Sequence, residues 1–224
     1  MKRFYLIFAA IIICGNMTIM AQVKYCMTFE DFVADKWDQA PNASVKPIDA
    51  AKRRLINTSD FHVVSSDKEL SDRLNKKAYA VMDGPTLYVN CRHYCYQGLP
   101  FGPGYAYGFR YDDNKICIVN RKIGKGELLT VSAITSVLPV TPGTIVGFGL
   151  NEALLANKVC YLVDSTPASN GKTKIKYMGD KYMKELLADK PEAKVVYEAA
   201  GEKASRQSAA NVINTLVTAG LIKQ

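Results

Sequence analysis

The stretch YAYGFRYDDNKICIV, from Tyr105 to Val119, decides the fold class. Aromatic and β-branched residues alternate with small or polar ones on both sides of Asp112-Asp113-Asn114. A period of two around turn-forming side chains is the pattern of an antiparallel hairpin. Tyr79 to Met82 and Thr86 to Cys91 repeat it around Asp83-Gly84, with Pro85 at the strand entrance, where a missing N–H is tolerated. Gln97 to Gly104, rich in Gly and Pro, reads as the loop between the hairpins. Val159 to Val163 and Lys172 to Tyr177 add two more strands, which makes an antiparallel sheet the heart of the fold.

Helical signals surround the sheet. Thr28 is placed to cap a short helix that ends near Lys36 and turns Phe29, Phe32, Val33 and Trp37 inward. Pro41 to Pro47 reads as a surface loop. Ser66-Asp67-Lys68-Glu69 is a capping box, followed by Leu70 and Leu74 at helical spacing. Asp180 opens a helix through Ala188, Pro191 opens the next, and the last is expected from Glu192 towards Thr218, with Gly201 as a point where it can break. The expected class is therefore α+β: an antiparallel sheet of hairpins with helices packed on it and a helical C-terminal end. With 48% apolar residues and no low-complexity linker, residues 22–224 are expected to form one domain.

Residues 1–21 read as a cleavable signal peptide: Lys2 and Arg3 precede the apolar run Phe4 to Cys14, and Thr18-Ile19-Met20-Ala21 ends in a small residue. Bulky Ile13 argues against acylation of Cys14, and the apolar run is shorter than the ~20 residues a membrane anchor needs. The net charge of +8 falls by two when Lys2 and Arg3 leave, so the mature chain stays basic. For an exported chain, basicity points to an anionic glycan, lipopolysaccharide or another envelope protein as partner, and not to nucleic acid. A solvated, lysine-rich surface explains the same charge. Leu128 to Asn151 carries no charge. Pro139, Pro142 and Gly143 favour two buried strands there, while a membrane-associated segment would make the chain an accessory protein of the bilayer.

Chemistry-bearing residues offer few constellations. Alternate positions of one strand place Tyr105, Tyr107 and Tyr111 on one face, as a sugar-stacking or partner-binding platform or as core cover. Lys172, Lys174 and Lys176 share a face, as an anion stripe or as the lysine protection of an edge strand. Five cysteines follow the leader, and Cys95 with Cys117 is the pair whose strands are candidates for a bridge. Cys91, His93 and Cys95 would project from one face of a continuous strand as a partial zinc set lacking a fourth ligand. A thiol-dependent or hydrolytic enzyme would have only His62 and His93 as bases. There is no G-x-S-x-G elbow, P-loop or dinucleotide fingerprint, and no cofactor is expected. What remains is an exported, envelope-associated binding or structural module without catalysis.

Three segments, AYAVMDGPTLYVNCRHY (Ala78 to Tyr94), GYAYGFRY (Gly104 to Tyr111), and VCYLVDS continuing through YMKELLADKPE (Val159 to Glu192), resemble a family of small exported proteins of uncharacterised function from Gram-negative bacteria. The resemblance covers about a third of the chain, implies an exported α+β domain, and carries no functional residue across. Pro139 and Pro142 depart from the family's middle stretch, which is richer in Gly and Ala.

Overall fold

The structure is a computed structural model and describes residues 22–56, 58–123, 150, 155, 157–165 and 173–222. The expected leader, nearly all of the uncharged stretch 128–151, and Lys172 lie outside the described residues. The N-terminal half contains β1 (Val23–Cys26), α1 (Phe29–Val33), β2 (Asp38–Ala40), β3 (Ala43–Pro47), α2 (Ala50–Ile56), β4 (Phe61–Ser65), α3 (Lys68–Lys77), β5 (Ala80–Asp83) and β6 (Thr86–Asn90). Then come β7 (Cys95–Tyr96), β8 (Leu99–Pro100), β9 (Tyr105–Asp112), β10 (Lys115–Arg121), β11 (Lys158–Asp164) and β12 (Lys174–Tyr177). Helices α4 (Asp180–Leu186), α5 (Pro191–Ala199), α6 (Lys203–Arg206) and α7 (Ala209–Thr218) close the chain.

Among the described residues ten strands form one sheet in the order β12-β11-β10-β9-β6-β5-β1-β2, with β3 paired to β4 and β4 to β9. The fold is α+β, with an antiparallel sheet and a helical C-terminal end. Alternation along the strands gives the sheet two buried faces. Tyr105, Tyr107 and Phe109 of β9, Cys117 and Val119 of β10, and Cys160 and Leu162 of β11 pack towards Leu74 of α3 and Met183, Tyr197, Ile213 and Leu216 of the C-terminal helices. The intervening residues, among them Ala106, Ile116, Ile118 and Tyr161, meet Phe32, Tyr94 and Phe101 on the other face. There the Arg110 guanidinium lies 3.9 Å from the Phe32 ring centroid and donates to the Phe32 carbonyl and to Asp35, holding α1 against the sheet.

Several local readings hold at the level of atoms. Thr28 Oγ1 accepts from Asp31 N, and α3 starts where expected, although its cap is Asp67, whose Oδ1 accepts from Glu69 N and Leu70 N, and not the Ser66 of the expected box. Others are corrected. Helix α1 stops at Val33 because Asp35 turns left-handed (φ 53°) and takes the Trp37 indole N–H on its carboxylate. Pro41 to Pro47 is not a loop. A two-residue turn with Asn42 at φ 56° passes the chain from β2, which pairs β1, to β3, which pairs β4. The Gly/Pro-rich segment holds the ribbon β7–β8, turned at Gln97-Gly98 with both residues at positive φ. The expected last helix is three: α5 ends at Ala199 just before Gly201, and α7 starts afresh where Ser208 Oγ accepts from Asn211 N. No helix among the described residues is long and apolar enough to cross a membrane.

Candidate functional site

The tyrosines of β9 divide by position. Tyr105 is fully buried and its hydroxyl donates to the Leu74 carbonyl at 2.7 Å. Tyr107 is 3% exposed, with ring centroids 4.7 Å from Phe61 and 5.5 Å from Tyr88. Both rings are core, because odd-numbered positions of β9 face the helices, so the exposed-platform reading is corrected for these two. Tyr111, at the strand end, stays half-buried. Burial, then neighbouring Tyr182, pushes its pKa up to about 12.

The cysteine constellations come apart. Cys117 is buried on the helix side, with Sγ 3.7 Å from Met178 Sδ, whereas Cys95 is exposed on the β7–β8 ribbon, whose Tyr96 and Leu99 pack against the opposite face. Both thiols are unbonded, and the expected bridge is corrected: strand parity puts the sheet between them. The continuous strand that would align Cys91, His93 and Cys95 is also absent, since β6 ends at Asn90 and a turn follows. Cys91 points into the core while His93 and Cys95 are exposed. Among the described residues no three His, Cys, Asp or Glu side chains are placed to hold a metal. Burial pushes the Cys91 and Cys26 thiols up to about 12, opposite to what a nucleophilic thiolate requires. His62 is half-buried on β4; burial, then Lys52 and Lys46, lowers its pKa.

The lysine stripe leads to a groove. Among the described strands β12 is an edge, and Lys174 and Lys176 project from it into solvent. A groove of about 800 Å³ runs beside it, bounded by Tyr96 of the ribbon, Lys176 and Tyr177 of β12, Lys181 and Tyr182 of α4, and Lys203 of α6. Its floor is fixed. The Tyr177 ring lies so close to Gly179 that a Cβ there would sit 2.6 Å from it, and the Tyr177 hydroxyl donates to Gln207 Oε1 at 2.9 Å. Tyr177 stands 5.7 Å from Tyr161, which stands 5.2 Å from Tyr96. Asp180 accepts from Arg206 Nε at 2.8 Å and Lys184 Nζ at 3.2 Å, which joins α4 to α6. The Arg206 hydrogen bond, with Lys184 behind it, holds the Asp180 carboxyl below its usual pKa.

The cations on the rim have no such partners. Among the described residues, Lys176, Lys181 and Lys203 of the groove have no carboxylate within 4 Å, and neither does Lys174 of the same strand outside it. Lys176 Nζ lies 5.6 Å from the centroid of the half-buried Tyr182 ring. Charge and half-exposed aromatic surface meet at one place, a combination suited to an acidic ligand with a flat face.

A second cluster was missed by sequence reasoning. On one edge β9 pairs with β6 from Tyr105 to Gly108. On the other it pairs with β10 only as far as Gly108↔Ile118, and with β4 at Tyr105↔Phe61. Strands β10 and β4 thus open a fork, which polar side chains fill. Asn120, 1% exposed, donates from Nδ2 to Ser59 Oγ at 3.2 Å and towards Cys91 Sγ at 3.6 Å. Asp60, 3% exposed, accepts on one oxygen from Arg53 Nη1 at 2.6 Å and Lys158 Nζ at 2.7 Å. The only trace in the sequence is an acid directly before the apolar strand FHVV; its partners on other elements leave no spacing signal.

The chain belongs to a family of unknown function, DUF6563, whose model matches residues 24–221. No match was found among curated proteins or among solved structures.

Proposed function

We propose that this DUF6563 member is an exported, envelope-associated and non-catalytic binding module that receives the acidic groups of an anionic glycan in the groove beside β12. Export rests on the leader pattern of residues 1–21. The observation that carries the binding reading is the coincidence of three groove lysines, Lys176, Lys181 and Lys203, without carboxylate partners among the described residues, with the half-exposed rings of Tyr96, Tyr177 and Tyr182. Carboxylates or sulfates of a polymer pair with the lysines, while sugar faces stack on the tyrosines. Most of the floor is pre-ordered by the Asp180 and Gln207 contacts, so binding orders mainly the lysine side chains. Buried, protonated thiols weigh against the thiol-enzyme alternative.

Calorimetric titration of the mature protein with an acidic polyuronate oligosaccharide, against a neutral one of equal length, tests the reading. The acidic oligomer should bind, with affinity falling as salt rises, and Lys176→Ala with Lys181→Ala should weaken it by about tenfold, the equivalent of ~1.4 kcal/mol. Equal binding of the neutral oligomer, or an unchanged affinity in the lysine variant, overturns it.

A further inference from the structure

The sheet begins one residue beyond the expected leader. Cleavage after Ala21 makes Gln22 the first residue of the mature chain. The next residue, Val23, is fully buried and opens β1 opposite Ala40, so a cut any further along would take residues out of the sheet. Gln22 itself stands outside that ladder. It is exposed, and its carboxamide has no hydrogen-bond partner among the described residues. A terminal α-amine ionises near pH ~7.7, well below lysine, so a sizeable part of it is unprotonated and nucleophilic at neutral pH. In an N-terminal glutamine this amine and the side-chain carbonyl carbon Cδ belong to one residue and close a five-membered ring, which removes the entropic cost of bringing them together.

We infer that Gln22 is a modification site and that the mature chain carries a pyroglutamyl residue there, an inference that rests on the export reading through the cut after Ala21. The α-nitrogen of Gln22 bonds to Cδ, the Cδ–Nε2 bond breaks, and Nε2 leaves as ammonia with the proton that the amine gives up; nothing is oxidised or reduced. The lactam ring restricts φ as proline does, and a strand entrance accepts it because the ladder starts only at Val23↔Ala40. Closure removes the terminal positive charge and the free amine that an aminopeptidase requires, at the end from which trimming would enter β1.

Mass spectrometry of the protein recovered from its exporting cell, with all free amines dimethylated under denaturing conditions at lysis, tests it. The N-terminal peptide should start at residue 22, be lighter by one ammonia and carry no label on its terminal nitrogen. Digestion with a pyroglutamyl peptidase should then expose the amine of Val23. Gln22→Asn keeps an exposed carboxamide but could close only a four-membered ring, so its terminus should be labelled in full. A labelled, open Gln22 in the parent overturns the inference alone and leaves the export reading standing. An unlabelled terminus in Gln22→Asn shows a block other than ring closure and also overturns it. A first residue other than Gln22 overturns the inference together with the expected cut, and a chain that retains residues 1–21 overturns the export reading as well.

Discussion

The groove beside β12 and the fork between β4 and β10 both gather cations, and they treat them in opposite ways. In the groove, Lys176, Lys181 and Lys203 stand in water without carboxylate partners among the described residues, on a floor fixed by Asp180 and Tyr177. In the fork, Arg53 and Lys158 are drawn out of water onto a single oxygen of Asp60. Solvated charges cost the fold little and are free to pair with a ligand, whereas desolvated ones must be paired for the chain to fold at all. The same residue types therefore serve recognition at one end of the sheet and architecture at the other.

The largest effect that would break this contrast is in the fork. Asp60→Ala strands two largely buried cations and should destabilise the protein by about 3–5 kcal/mol in urea unfolding; a change under about 1 kcal/mol would place the fork in the same class as a surface pair. Next comes the floor of the groove. Gly179→Ala drives a methyl against the Tyr177 ring, and the enforced shift should cost about 1–3 kcal/mol and weaken acidic-oligosaccharide binding together with stability. A smaller, pH-dependent effect belongs to Asp180. Its folded pKa lies below 3.8, so its contribution is complete above that value and is lost as the pH falls through the folded pKa; Asp180→Asn should flatten the acid limb of the stability profile below about pH 4. The smallest effect is the most informative about function: Lys176→Ala with Lys181→Ala should leave stability within about 0.5 kcal/mol of the parent. A large loss there would show that those lysines hold the fold together.

What was legible in the sequence follows the range of the interactions. Hairpins around Asp83-Gly84 and Asp112-Asp113-Asn114, a capped start to α3 (at Asp67, one residue on from the Ser66 of the expected box) and the edge character of β12 among the described strands all rest on neighbours within a few residues, and they are present. The β2–β3 turn was hidden because Pro41 and Pro47 mask strands whose partners, β1 and β4, are set by tertiary pairing. The face of Tyr105 and Tyr107 was fixed by parity, but which face the helices cover is not encoded locally. Lys176 was visible as part of a stripe; its neighbours in the groove, Tyr96, Tyr182 and Lys203, come from three separate elements. The fork was illegible for the same reason. Its carboxylate, amide and cations come from β10, β11, α2 and the approach to β4.

The most direct test of the central claim is amide chemical-shift mapping of the ¹⁵N-labelled mature protein during titration with an acidic polyuronate oligosaccharide. The account predicts saturable shifts at Tyr96, Lys176, Tyr177, Lys181 and Tyr182, with α3 and the outer strand β2 unmoved. Shifts centred on α3 and β2, or none at all, would contradict it.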